Sequence, residues 1–143
     1  MNVATILQSK GGNVVTAHPD TPVREITRLL RDAGIGAVVI SSDHLRVEGI
    51  VSERDVVRAI AVSGEEVLNQ TAAEIMTREV VTCGAGDTVA QLMSQMTQGR
   101  FRHLPVCEDG ALIGIVSIGD VVRMRVEEVE HEAEALREYV TRG

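Results

Sequence analysis

A chain of 143 residues is long enough for one substantial core, or for two small units that share one, because halves of about 60–70 residues are each only marginally stable alone. Its formal charge of −7, from 21 acidic against 14 basic residues, disfavours DNA, RNA and anionic membranes, which bind proteins through neutralising lysines and arginines. One Phe, one Tyr and no Trp leave no stacking platform for single-stranded nucleic acid, and the 44% hydrophobic content, mostly Val, Ile, Leu, Ala and Met, suits a β-branched sheet core.

The opening "MNVATILQSKGG" lacks the charged-then-apolar pattern of a secretory signal, and no apolar run approaches about 18 residues, so a cytoplasmic chain without a membrane or nucleic-acid partner is expected. Val3 to Lys10 reads as a short helix in a lead-in covering residues 1–13. In the unit 14–66, Val14 to Ala17 reads as a strand. Thr21 and Pro22 give a cap and a first-turn proline to a helix reaching Ala33, with Val23, Ile26, Leu29, Leu30 and Ala33 as its apolar stripe and Gly34 as its end. Ala37 to Ile40 is a buried strand, Val47 to Val51 pairs back as a hairpin arm, and a helix from about Glu53 to Val62 closes the unit. The linker 67–79 carries a short helix within Val67 to Met76. The unit 80–126 repeats the order with Val80 to Cys83, Thr88 to Gln98, Leu104 to Cys107, Leu112 to Val116 and a helix from about Gly119, which runs on into an extension over 127–143. Cys83 and Cys107 sit in or beside apolar strands, too far apart for a Cys-x-x-Cys site, and read as reduced, mostly buried thiols.

The second unit is a rewriting of the first. "GIVSERDVVR" (49–58) and "GIVSIGDVVR" (114–123) agree at eight of ten positions, and upstream Val14-Val15-Thr16 aligns with Val80-Val81-Thr82, Val23 with Val89, Ile26 with Leu92 and Leu30 with Met96. A unit of about 65 residues occurring twice is too long and too few for a solenoid, so two similar units packed face to face are predicted.

Each copy carries Ser-x-x-Asp where an apolar strand meets a helix: Ser52 with Asp55, and Ser117 with Asp120. The plain interpretation is a capping box. The functional one is a nucleotide site, because a helix N-terminus offers free amides and a positive dipole end to phosphate while a nearby carboxylate accepts both hydroxyls of a ribose. The matching places of the two copies favour the functional interpretation.

Together with "RFRHLPV" from Arg100 and "EIMTREVVT" from Glu74, these motifs closely resemble paired cystathionine β-synthase (CBS) domains, which form a Bateman module. The likeness runs from about Val3 to Tyr139, and "LQSKG" with the Glu-rich "VEEVEHEAEALREYV" is similar to stand-alone two-CBS proteins. The resemblance implies an α+β fold of two β-α-β-β-α repeats about a pseudo-twofold axis, with adenosine nucleotides bound in the cleft between them. It implies that Asp55 and Asp120 each hold a ribose, with Ser52 and Ser117 at phosphate or ribose oxygens. Thr16 and Thr82 would line the adenine pockets, and Ala37, Val38, Leu104 and Pro105 would wall them. Arg54, Arg102 and His103 are expected at phosphates; Arg100 is as readily a solvated neighbour of Phe101, and Lys10 beside Gly11 and Gly12 is as readily an ordinary turn. Because Arg54 is replaced by Gly119 in the second copy, the two sites are expected to differ in charge preference.

His18, His44, His103 and His131 share no metal-ligand spacing, and neither Gly-x-Ser-x-Gly nor His-Glu-x-x-His occurs, so no catalytic residue and no metal are expected. Val122, Val126, Val129, Ala133, Leu136 and Val140 form a heptad stripe on the last helix that predicts a homodimer. The expectation is a regulatory module that binds AMP first, with ATP, ADP, NAD(H) or S-adenosylmethionine as further ligands, and signals energy or redox state to an unknown regulated protein. The alternatives are a ligand-free dimerisation module, or a redox-responsive regulator using Cys83 or Cys107.

Overall fold

The structure, a computed structural model, describes residues 1–11 and 13–142; the expected turn residue Gly12 and the terminal Gly143 lie outside them. Helix α1 spans Val3–Lys10 and is capped by Asn2, whose side chain accepts from the Thr5 amide. In the first unit follow β1 (Thr16–Ala17), α2 (Val23–Ala33), β2 (Ala37–Ile40), β3 (Gly49–Ser52) and α3 (Glu53–Ser63). A 3-10 segment, Gly64–Asn69, and the short helix α4 (Ala72–Ile75) make the linker. The second unit has α5 (Val89–Gly99), β4 (His103–Glu108), β5 (Ala111–Ser117) and α6 (Ile118–Arg142). This is the α+β arrangement of two equivalent units and a long last helix that the repeat predicts.

In the first sheet β1 runs parallel to β2 and β2 antiparallel to β3, with Ala37 opposite Ser52. In the second, β4 and β5 pair with His103 opposite Ser117. The expected third strand, Val80 to Cys83, is reduced to one parallel bridge between Cys83 and Val106. The reason is burial: Cys83 is inside, but Thr82 and Val81 are exposed, so further pairing would cover nothing apolar. Likewise β1 covers only Thr16–Ala17 of the expected Val14 to Ala17, since Ala17 is its one buried side chain.

The two cores exchange their leading helices. Val3 and Ile6 of α1, which precedes the first unit in sequence, are buried in the second unit's core with Val89, Leu92, Met96, Leu104, Val106 and Val116. Val67 and Ala72 of the linker, which precedes the second unit, are buried in the first unit's core with Val23, Ile26, Val38, Ile40 and Val51. Backbone bonds fix both crossings: the Val3 amide donates to the Asp87 carbonyl at 2.9 Å, and the Ala72 amide donates to the Thr21 carbonyl at 2.8 Å.

The exchange explains the glycine that opens each repeated phrase. A Cβ on Gly49 would run into Met76 and the Thr77 carbonyl, and one on Gly114 would meet Leu7 at 2.5 Å, so both arriving segments lie directly on a bare hairpin backbone. Among the described residues no helix is long and apolar enough to cross a membrane.

Candidate functional site

Each Ser-x-x-Asp forms a complete capping box. Asp55 Oδ2 accepts from the Ser52 amide at 2.8 Å and from its hydroxyl at 2.9 Å, while Ser52 Oγ accepts the Asp55 amide at 3.2 Å. Asp120 and Ser117 repeat this at 2.9, 2.9 and 3.2 Å. The plain interpretation therefore holds at both turns, but it uses only one oxygen of each carboxylate. Asp55 Oδ1 has no hydrogen bond among the described residues, so closing the helix and holding a diol make separate demands on the same side chain.

A cleft of about 930 Å³ opens between the units at the first of these turns. Ser52, Glu53, Arg54, Asp55 and Arg58 line it from the first unit, and Arg100, Phe101, Arg102 and His103 from the second. The hairpins arrange this. Gly36 accepts the Glu53 amide at 2.9 Å, its repeat counterpart Arg102 accepts the Ile118 amide at 2.8 Å, and a Cβ on Gly36 would stand 2.9 Å from His103 Nε2. Gly36 is thus the place where the second unit's imidazole presses on the first unit's backbone.

The electrostatics are unusual for so acidic a chain. Arg54, Arg58, Arg100 and Arg102 gather round one opening, and among the described residues none of them makes an ion pair. Arg100 caps α5 with a left-handed φ of 57°, in the position where the first unit uses Gly34 at φ 63°. A side chain held there costs about 1–2 kcal/mol relative to glycine, so the second unit accepts strain where it presents a guanidinium to the cleft. Burial holds the His103 imidazole below its ordinary 6.5, with Lys10 and Arg102 pushing the same way and Glu53 and Asp120 pushing back.

Six of the residues singled out in the sequence, Ser52, Arg54, Asp55, Arg100, Arg102 and His103, come together on this cleft. Arg58, Thr77 and Gly36 join them unforeseen. Arg58 stands one turn beyond Arg54 on α3, a spacing that could have flagged it. Elsewhere, Thr16 Oγ1 shares a hydrogen bond of 2.6 Å with His44 Nδ1, and Thr82 is exposed. Ala37, Val38, Leu104 and Pro105 are buried strand residues within their own sheets.

At the second turn Lys10 Nζ donates to Asp120 Oδ2 at 2.6 Å and to the Ile115 carbonyl at 2.9 Å. Burial pushes the Asp120 carboxyl up, but the Lys10 ammonium and the Ser117 amide and hydroxyl outweigh it and hold the group below its ordinary 3.8. Among the described residues no group of three or more His, Cys, Asp or Glu is arranged to hold a metal ion.

The family model for the CBS domain matches residues 4–62 and again 72–127. The mitochondrial CBS domain-containing protein CBSX3 of Arabidopsis thaliana is 33% identical over 149 aligned positions, covering 99% of this chain and 72% of that protein. The crystal structure of the CBS-domain containing protein ATU1752 from Agrobacterium tumefaciens superposes with a TM-score of 0.84 at 47% identity, covering 87% of this chain and 99% of that one. The CBS domain pair of protein MJ0100, solved in complex with 5-methylthioadenosine and S-adenosyl-L-methionine, has a TM-score of 0.79 at 26% identity, covering 90% of this chain and 98% of that one. With two matched copies spanning nearly its whole length, the chain belongs to the CBS-domain family.

Proposed function

We propose that the cleft between the units holds an adenosine nucleotide, and that the chain is a regulatory module without catalysis of its own that reports occupancy to a partner protein. The observation that carries this reading is the set of four arginines, without ion pairs among the described residues, round a cleft that meets the start of α3. A phosphate there would take guanidinium forks and the Arg54 amide, the first-turn donor left once Glu53 bonds Gly36 and Asp55 bonds Ser52, while Asp55 Oδ1 accepts the ribose hydroxyls. Ile50, Val57 and Phe101 give the same cleft apolar surface for a purine. Four guanidinium groups against the carboxylates of Glu53 and Asp55 leave a formal charge of +2. That balances a phosphate monoester of about −1.5 to −2, so AMP is the first ligand to test and ADP, ATP and NAD(H) come next. Kinship with the MJ0100 pair supports the adenosine part of the reading and adds S-adenosylmethionine to the set. Ser52 is committed to closing α3, which speaks for binding rather than nucleophilic chemistry at this turn.

Thermal-shift titration tests this reading. A ligand at about 100 times its dissociation constant adds about 2.7 kcal/mol of stability, so AMP is expected to raise the melting temperature, and no shift with any of these nucleotides rejects the proposal. Asp55→Asn separates the two demands on the carboxylate: the amide oxygen can still accept from the Ser52 amide, but its NH2 opposes the diol. AMP binding is expected to weaken at least tenfold with little loss of stability, and unchanged affinity removes Asp55 from the site. Formation of a product during incubation would make the chain an enzyme.

A ligand-free dimerisation module is the second reading, favoured by the two closed capping boxes and by the exposed apolar stripe of α6. A redox regulator is disfavoured: burial pushes the Cys83 thiol up to about 12, and burial raises Cys107 as well, so thiolate is scarce at both.

A further inference from the structure

We infer that the two Ser-x-x-Asp sites are unequal because Lys10 shuts the second one: its ammonium sits on the carboxylate that a ribose would need. The inference rests on the nucleotide reading above and assigns Lys10 the part of an internal occupant. At the first turn Asp55 Oδ1 has no hydrogen bond among the described residues. At the second, Asp120 Oδ2 carries Lys10 at 2.6 Å in addition to the Ser117 amide and hydroxyl, and Oδ1 faces Arg123 Nη1 at 3.7 Å. The Asp120 side chain is left only 11% exposed.

The contrast follows from the repeat. Lys10 closes α1 where the first unit's arriving segment has Met76 after α4, and its second acceptor, the Ile115 carbonyl, is the counterpart of Ile50, which pairs with Thr77. Backbone pairing in the first unit is thus replaced by an ammonium in the second. The cations differ as well. Arg54 has become Gly119, and Arg123, the counterpart of Arg58, is turned onto Asp120 rather than left for a phosphate. A ribose reaching Asp120 Oδ1 has to move Arg123 aside on a carboxylate that Lys10 already neutralises through Oδ2, and its apparent affinity falls by the fraction of time both cations are away.

Isothermal titration with AMP tests this on the full chain, the variants being checked for a single cooperative melting transition. The unaltered chain is expected to take one AMP per chain at concentrations that saturate the first cleft. Lys10→Met keeps the aliphatic stem without the charge and is expected to take two, the second site tightening at least tenfold, whereas Lys10→Arg stays at one. Lys10→Gln serves in its place should the methionine variant not fold. Two equivalent sites in the unaltered chain, or one site in both Lys10→Met and Lys10→Gln, overturns the latch and leaves the nucleotide reading standing. No binding by any of these proteins rejects the nucleotide reading and the latch with it.

Discussion

His103 stands where the units touch, against Gly36 and within the fields of Glu53, Lys10, Asp120 and Arg102. Burial is the main reason its imidazole sits below the ordinary value, and the neighbouring cations Lys10 and Arg102 reinforce it against Glu53 and Asp120. The sign of the consequence follows from proton counting. Between the depressed native value and 6.5 the unfolded chain binds more protons at this residue than the native one, so stability falls as pH drops through that window. Asp120, also depressed, adds a separate loss at still lower pH, below its ordinary 3.8. The melting temperature is therefore expected to decline by a few degrees on acidification from pH 7.5 toward the lower end of the His103 window. His103→Gln, which keeps a polar side chain of similar reach without the titration, is expected to flatten that decline. An identical decline in the variant assigns it to other groups.

At the scale of the element, α6 is two helices in one. Its first turns belong to the fold: Val121 and Met124 are buried in the second core. From Glu127 to Arg142 no side chain is buried, yet Val129, Leu136, Tyr139 and Val140 continue an exposed apolar stripe that begins at Val122 and Val126. Beside it Met93, Val122, Val126 and Val129 border a groove of about 300 Å³. About four and a half free turns would be marginal in water on propensity alone, and the stripe at heptad spacing matches a second copy of itself. A chain ending at Val126 is expected to keep its melting transition within a few degrees while its mass by light scattering falls from dimer to monomer. A full-length monomer, or a truncated dimer, rejects α6 as the seam.

The heptad stripe shows what kind of feature a sequence discloses. Periodicity marked α1 at Val3–Lys10 and β2 at Ala37–Ile40 with their observed bounds, and duplication fixed the order of elements. Edge pairing was less legible, because the number of residues in β1, or the loss of its counterpart beside Cys83, depends on what lies over the edge. In the candidate site, Ser52, Asp55, Arg54, Arg102 and His103 were legible from repeated or clustered motifs. Gly36 and Thr77 were not, since they line the cleft where hairpin and linker backbones meet. Nor could spacing disclose Lys10 on Asp120, a contact spanning 110 positions.

The whole molecule adds the exchange of leading helices, which ties the two units together more firmly than a linker would. A short amphipathic segment such as α1 carries no mark of which sheet it will cover; here it crosses to the second unit while α4 crosses to the first. Neither unit is complete as a continuous stretch of chain, so trimming the N-terminus damages the distant half. Removing residues 1–11 takes Val3 and Ile6 out of the second core, where they are 0% and 3% exposed. At about 1.5–3 kcal/mol for each buried side chain, the loss is about 3–6 kcal/mol, a large share of the 5–15 kcal/mol that holds a typical domain. Hydrogen exchange on the shortened chain is expected to show lost protection at Leu104, Val106 and Val116 while Val38, Val39 and Val51 keep theirs, with a melting temperature lower by ten degrees or more. Uniform loss across both sheets would mean that the units unfold as one body, and loss confined to the first would place α1 on the wrong core.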